Sequence, residues 1–321
     1  MRSPHRVLTL GDLLVEIMRE KVGEDLKTPG IFEGPFPSGA PAIFAGALSA
    51  LGVKVSIIGS VGNDEFGNAI LDRLRSHGVD VNKVQILNDY TTGVAFVTYF
   101  HDGSRKFIFH VDKSAAGQVN QRWINKTYLH QFTHLHVMGT SLAINENWRR
   151  FTLQVLAIVK QRGATVSFDP NLRPDMLRDE KLREPYLNVL KNTDIFLPGE
   201  EELQQLTGIA DCRKAAHCLI DSGVKVVAVK RGAAGSLIVA RDVELECAAY
   251  EVEEVDPTGA GDCYDAGFLK GYLEGWSWKQ IGEFANAVGA LAVSKRGPME
   301  GISDVASVQR FTRNKSKEEA N

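Results

Sequence analysis

Cysteine is scarce in this chain: Cys212, Cys218, Cys247 and Cys263 are the four in 321 residues, and no two form a C-x-x-C pair. That excludes a disulfide framework and a zinc-ribbon type of metal site, and it points to reduced thiols in a cytosolic setting. Long apolar runs are missing too. None approaches the ~18 residues of a membrane-spanning helix, and Met1 to Arg6 lead into a short apolar strand and Gly11-Asp12, not into a signal-type stretch with a cleavage site. The expectation is a cytoplasmic protein with no membrane partner. Neither sign of charge dominates, with 37 Lys and Arg against 40 Asp and Glu for a net charge of −3. No basic block is long enough to serve as a nucleic-acid arm, so no nucleic-acid partner is expected. The glycines of Gly59-Ser60-Val61-Gly62-Asn63-Asp64-Glu65-Phe66-Gly67 lack a Walker A lysine and read as turn punctuation.

What is present is an alternation of short apolar strands with helical stretches over nearly the whole length. A chain of this size buries an ample core without crosslinks. Strands are expected at 7–10, 53–58, 134–139, 164–168, 193–197 and 224–229. Helices are expected at 38–51, in the stretch holding Phe66, Ile70, Leu71 and Leu74, and at 278–295, where Ile281, Phe284, Ala285, Val288 and Leu291 make one stripe. The pattern implies a mostly parallel sheet with helices on both faces. A ligand then lies beyond the carboxyl ends of the strands, where Asp12, Asp169, Glu202 and Lys230 fall. No linker divides the chain, so residues 1–312 form one domain, and 313–321, ending in a charged run, read as a disordered tail. Two β-rich runs, Thr92 to Phe100 and Arg105 to His110, flank His101-Asp102-Gly103-Ser104, a hairpin signal. With the Gly- and Pro-rich segment before Ser38, they suggest a small β lid made from about 13–37 and 92–112. The apolar face of that lid is equally suited to pairing with a second copy of the chain.

The most constrained stretch is Asp256-Pro257-Thr258-Gly259-Ala260-Gly261-Asp262, which runs into the apolar helix Cys263 to Leu273. With almost no side chain at Gly259, Ala260 and Gly261, backbone N–H groups at the helix start can approach an anion closely. Asp262 in the first turn has two readings: an acid that stabilises its own helix, or a carboxylate that acts beside the bound anion. Other residues also carry two readings. Asp12 and Glu16 are turn acids or ligands, Asp169 and Asn171 a capping turn or a binding edge, and Lys230 a solvent lysine or a cation beside phosphate. His134 and His136 share a strand face at a metal-binding spacing but lack a third ligand.

This string resembles the second signature of the ribokinase-like (PfkB) carbohydrate kinases, with Pro257 in place of a threonine, and the likeness extends over about residues 5–305. Ser38-Gly39-Ala40-Pro41-Ala42-Ile43 resembles the first signature, with Ser38 for a glycine and Ile43 for the asparagine that contacts the sugar. Asp169-Pro170-Asn171-Leu172-Arg173 resembles the D-x-N-x-R of the fructokinase and 2-keto-3-deoxygluconate kinase branches. Glu202 matches the glutamate of an N-x-x-E whose asparagine is here Gly199.

The resemblance implies a three-layer α/β/α sandwich with a mostly parallel central sheet and a small β lid. It implies an ATP-dependent kinase that phosphorylates a primary hydroxyl of a small sugar or keto-sugar acid, the alternatives being a nucleoside kinase of the same fold or a non-catalytic sugar-binding protein. Asp262 would be the base, and Gly259, Ala260 and Gly261 the anion hole. Lys230, Gly232, Gly235, Asn286 and Asp256 would line the nucleotide. Asp12, Glu16, Gly39, Arg105, Asp169, Asn171 and Arg173 would hold the sugar. Glu202 would act on Mg2+ through water, Asp256 would orient its loop or bind a monovalent cation such as K+, and a homodimer would form through the lid. Arg105 has the fork to meet a sugar carboxylate, although exposed arginines are commoner.

Overall fold

The computed structural model describes residues 5–172 and 180–318. The chain begins with β1 (Arg6–Leu10), β2 (Leu14–Arg19) and β3 (Phe32–Ser38), then α1 (Ala40–Ala50), β4 (Lys54–Gly62), α2 (Glu65–Ser76) and β5 (Asp80–Leu87). The hairpin β6 (Gly93–Tyr99) and β7 (Arg105–His110) follows, then α3 (Lys126–Leu129), β8 (His134–Met138), α4 (Thr140–Ala143), α5 (Glu146–Gln161) and β9 (Thr165–Asp169). After α6 (Glu180–Lys191) come β10 (Ile195–Phe196), α7 (Glu200–Thr207), α8 (Cys212–Asp221), β11 (Val226–Lys230), β12 (Ser236–Ala240) and β13 (Val243–Cys247). The last elements are α9 (Ala260–Leu273), α10 (Trp278–Val293) and α11 (Val305–Glu318).

Among the described residues, nine strands form the main sheet in the order β13-β12-β11-β10-β9-β8-β1-β4-β5. From β11 to β5 all neighbours run parallel, and only β12 and β13 pair antiparallel. Parallel strands covered on both faces read as continuous apolar runs. Here successive residues alternate between two cores: Val7, Val55, Val226 and Ala228 face α1, α2, α9 and α10, whereas Leu8, Ile58, Val227 and Val229 face the cluster built on Trp148, Phe151 and Leu203. Helices lie on the connections between successive parallel strands of this sheet; β1 lies between β8 and β4, and the strand order reverses there. That reversal opens a crevice at the strand ends.

Helix starts follow local chemistry. Asp64 caps α2 by accepting from Gly67 N at 2.8 Å, and its other oxygen accepts from Thr92 N at 2.7 Å, so the glycine-rich turn is structural and anchors the first residue before β6. Ser277 and Gln280 close a capping box on α10. His134 and His136 are fully buried: His134 bonds Thr165 Oγ1 and Ser167 Oγ at 2.6 and 2.7 Å, and His136 shares that Ser167 hydroxyl at 2.7 Å. The His136 ring stacks on Phe44 at 3.7 Å. Burial pulls the His134 imidazole down to about 3 and holds His136 well below the usual histidine range. Among the described residues no group of three or more side chains is placed to hold a metal.

A second sheet, ordered β3-β2-β6-β7, stands over the crevice. It is mixed: β2 pairs β6 in parallel, and the outer pairs are antiparallel. Its attachment includes the Arg296 guanidinium, which bonds Arg19 O at 2.6 Å and pairs with Glu33. The α11 helix docks through an apolar stripe, with Val308 buried and Phe311 packed against Tyr250 at 5.3 Å, and its backbone continues to Glu318. No helix among the described residues is long and apolar enough to cross a membrane.

Candidate active site

Two cavities meet at the start of α9. The first, about 350 Å³, lies between the main sheet and the lid and is lined by Asp12, Glu16, Gly39, Arg105, Asp169, Asn171, Glu202, Lys230, Gly259, Gly261 and Asp262. The second, about 720 Å³, is lined by Lys230, Gly232, Gly235, Asn286, Ala260 and Gly261. Lys230 and Gly261 border both. Of the expected site residues, Arg173 lies outside the described residues and Asp256 sits behind the seam; the others gather around these cavities.

The seam is a helix N-terminus without a side-chain cap. Gly259 has φ of 79°, and a methyl there would meet Pro298 O at 2.6 Å, so the backbone turns tightly into α9 as only glycine permits. The first N–H groups of a 14-residue helix, with the positive end of its dipole, thus face the junction. Asp262 is buried in the first turn beside them, and its Oδ1 has no hydrogen-bond partner among the described residues. Burial, then the Asp169 charge, raises this carboxyl well above the ordinary aspartate range, with Lys230 opposing and Asp12 and Glu16 adding to the rise.

Asp256 organises the loop before the turn. Its Oδ1 accepts from Thr258 N at 3.0 Å and from the Tyr99 hydroxyl at 2.9 Å, and its Oδ2 accepts from Gly297 N at 2.9 Å. Tyr99, at the end of β6, also bonds Thr258 Oγ1, so the lid and the glycine turn are joined directly. Burial, then Asp256, raises the Tyr99 phenol and keeps it a donor.

Lys230 is not a solvent lysine. Its ammonium lies 2.7 Å from Asp169 Oδ2 and 3.2 Å from Asp265 Oδ1. Burial alone would pull its pKa down, but Asp169, then Asp265 and Glu202, outweigh that and keep it charged. Glu202 accepts from Leu172 N and Gly199 N, both at 2.6 Å, which ties the turn after β9 to the start of α7. Burial, then Asp169, pushes its carboxyl up to about 7. Asp169 and Glu202 supply the oxygen donors that suit a hard dication shared with phosphate. On the rim of the larger cavity the Asn286 amide donates to Cys247 O and Ala248 O, and a methyl on Gly232 would meet nothing within 4 Å, leaving room for a flat ligand.

Several contributors escaped the sequence reading. Ser38, which stands for a glycine, donates to Glu16 Oε1 at 2.6 Å. Strand alternation puts Phe107 and Phe109 on the lid face that also carries Tyr99 and the expected Arg105, and the two phenyl rings stack at 5.0 Å over the smaller cavity. The hairpin periodicity held that signal. Asp265, one turn after Asp262, carried none, because its partner comes from β11.

The sequence profile of the pfkB family carbohydrate kinases matches residues 7–305. The chain is 32% identical over 268 residues to the 2-dehydro-3-deoxygluconokinase of Bacillus subtilis (strain 168), covering 83% of each protein. It is 32% identical over 315 residues to fructokinase-1 of Oryza sativa subsp. japonica, covering 95% of this chain and 97% of the relative. A protein of E. coli provisionally named Ribokinase II, solved in complex with ATP and Mg2+, superposes with a TM-score of 0.92 at 40% identity, covering 97% of this chain and 99% of that one.

Proposed function

This chain is a member of the pfkB family of carbohydrate kinases with the ribokinase-like fold, and on that premise we propose that it transfers the γ-phosphate of ATP to a primary hydroxyl of a small sugar. The observation that carries the reading is Asp262, buried at an uncapped helix start with one oxygen unpartnered among the described residues, where two cavities meet. The smaller cavity takes the sugar, with Asp12 and Glu16 accepting from its hydroxyls. The larger takes ATP along Gly232, Gly235 and Asn286. Asp262 accepts the proton of the attacking hydroxyl, and the amides of Gly259, Ala260 and Gly261 meet the charge that develops on the phosphoryl oxygens. Asp169 and Glu202 would hold Mg2+, Glu202 through water, and the ion would supply further charge neutralisation to the phosphates. Asp256 orients the glycine turn, beside which a monovalent cation such as K+ would add positive charge.

Substrate choice follows from the lining. Among the described residues the sugar cavity holds Asp12, Glu16, Asp169, Glu202 and Asp262 against Arg105 and a Lys230 already paired twice. That balance favours a neutral, hydroxyl-rich substrate of the fructose type over a sugar acid such as 2-keto-3-deoxygluconate. The stacked Phe107 and Phe109 rings favour a second reading, a nucleoside whose base lies on them. The lid's other face exposes Phe32 and Ile108, which supports a homodimer formed through the lid; reaction and pairing are assigned to the cytoplasm. ADP release with fructose, 2-keto-3-deoxygluconate, ribose and adenosine separates the substrates, and sugar binding without any ADP would replace the kinase reading with a sensor. Asp262→Asn should lower kcat by roughly 10²- to 10⁴-fold with little change in ATP affinity. Undiminished turnover in that variant would remove Asp262 from the chemistry.

A further inference from the structure

Asp265 is a fully buried carboxylate to which the reaction scheme gives no task. An ionised group in such a place is costly unless it is paired, and an apolar residue of similar size would serve helix packing as well. Its two oxygens lie 3.2 and 3.4 Å from Lys230 Nζ. At the end of β9, Asp169 Oδ2 reaches the same ammonium at 2.7 Å, and Asp265 also hydrogen-bonds Asp169, burial and that neighbour raising its carboxyl well above the usual range against the opposing Lys230 charge. Lysine carries its charge on a flexible four-carbon stem with three donors, and one carboxylate leaves that stem free to swing. Two carboxylates from different elements, β9 and α9, fix it. The place where they fix it is specific: Lys230 borders both cavities, and a methyl on Gly261 would stand 3.5 Å from Nζ.

We propose that Asp265 is a positioning residue, which holds the Lys230 ammonium beside the Gly261 turn, at the seam a phosphoryl group crosses between nucleotide and sugar. With Asp265 in place the ammonium is shared between two anchors and stays at the seam, where a fixed cation stabilises a migrating anion without reorganising. Without it, Asp169 is left as the single close anchor and the lysine stem is freer to leave the seam. The inference rests on the kinase reading above, and it concerns kcat through Lys230 alone.

The test is a double-mutant cycle on the full chain with Asp265→Asn, Lys230→Met and the double variant, reading kcat, sugar KM and melting temperature, with Asp262→Asn alongside. The expectation is a kcat about 10- to 100-fold lower for Asp265→Asn with sugar KM within about twofold. Lys230→Met should fall at least as far, and the double variant no further than Lys230→Met. If Asp265→Asn loses kcat by the same factor in both backgrounds, or only its melting temperature falls, the positioning role is overturned. Should the Asn variant not fold, Asp265→Leu, which replaces the buried charge by an apolar group, carries the same comparison. Full activity in Asp262→Asn would instead sink the kinase chemistry, so the two failures are told apart.

Discussion

Lowering the pH from 8 to 5 should act on the fold through His134. This imidazole is wholly buried between Thr165 and Ser167, and burial holds its pKa at about 3 against 6.5 when exposed. A depressed pKa means the unfolded chain binds the proton that the folded chain refuses. Its contribution is therefore complete above pH 6.5 and is lost as the pH falls toward 3. At pH 5 the unfolded histidine is protonated almost completely and the folded one hardly at all, a loss of about 2 kcal/mol. Glu202 works in the opposite direction, since a carboxyl raised to about 7 favours folding as the pH drops below that value. The raw stability of the protein therefore mixes both signs. A comparison of variants separates them: urea unfolding of wild type and His134→Asn at pH 8 and pH 5, where the asparagine cannot titrate. The deficit of the variant should shrink by about 2 kcal/mol at the lower pH. An equal deficit at both values would mean that the folded imidazole takes up its proton freely, and the buried neutral pair would be wrong.

Two other substitutions probe the turn before α9. Tyr99→Phe removes one hydroxyl and leaves Asp256 Oδ1 with only the Thr258 amide; a loss of about 1 kcal/mol in turn alignment predicts a roughly fivefold lower kcat. Steady-state kinetics showing unchanged kcat beside a lower melting temperature would confine the hydroxyl to stability. Gly259→Ala forces a methyl into the left-handed backbone region and against Pro298 O. A displaced amide turn should cost about 10²-fold in kcat while circular dichroism stays native, and an active alanine variant would show that the turn does not need glycine.

The strands and the acids at their ends were legible because parallel strands are apolar runs that stop abruptly, as Val7 to Leu10 does before Gly11-Asp12. Asp262 was legible through the uncommon density of small residues ahead of it. The strand Phe32–Ser38, with Pro35 and Pro37, was visible only as part of a lid, since prolines weaken any strand reading; it forms because it is an edge of its sheet, where a missing N–H is tolerated. The parallel pairing of β2 with β6 joins segments some 80 residues apart, a distance at which no local pattern operates. The partners of Lys230 and Tyr99 were hidden for the same reason. By contrast, the docking of α11 was available from the spacing of Val305, Val308 and Phe311 and was masked by the charged residues that follow.

The α1 helix is apolar almost all round, with Pro41 to Leu48 buried, and it packs against α9, more than two hundred positions later in the chain. Until synthesis reaches that late segment, the face of α1 that α9 covers stays bare, although β4 and α2 already pack on its other sides. Closing so distant a contact makes assembly slow, and an emerging or truncated chain presents a sticky surface for most of its synthesis. Chaperone demand, and aggregation of fragments that stop short of residue 260, follow from where the sequence places these two helices.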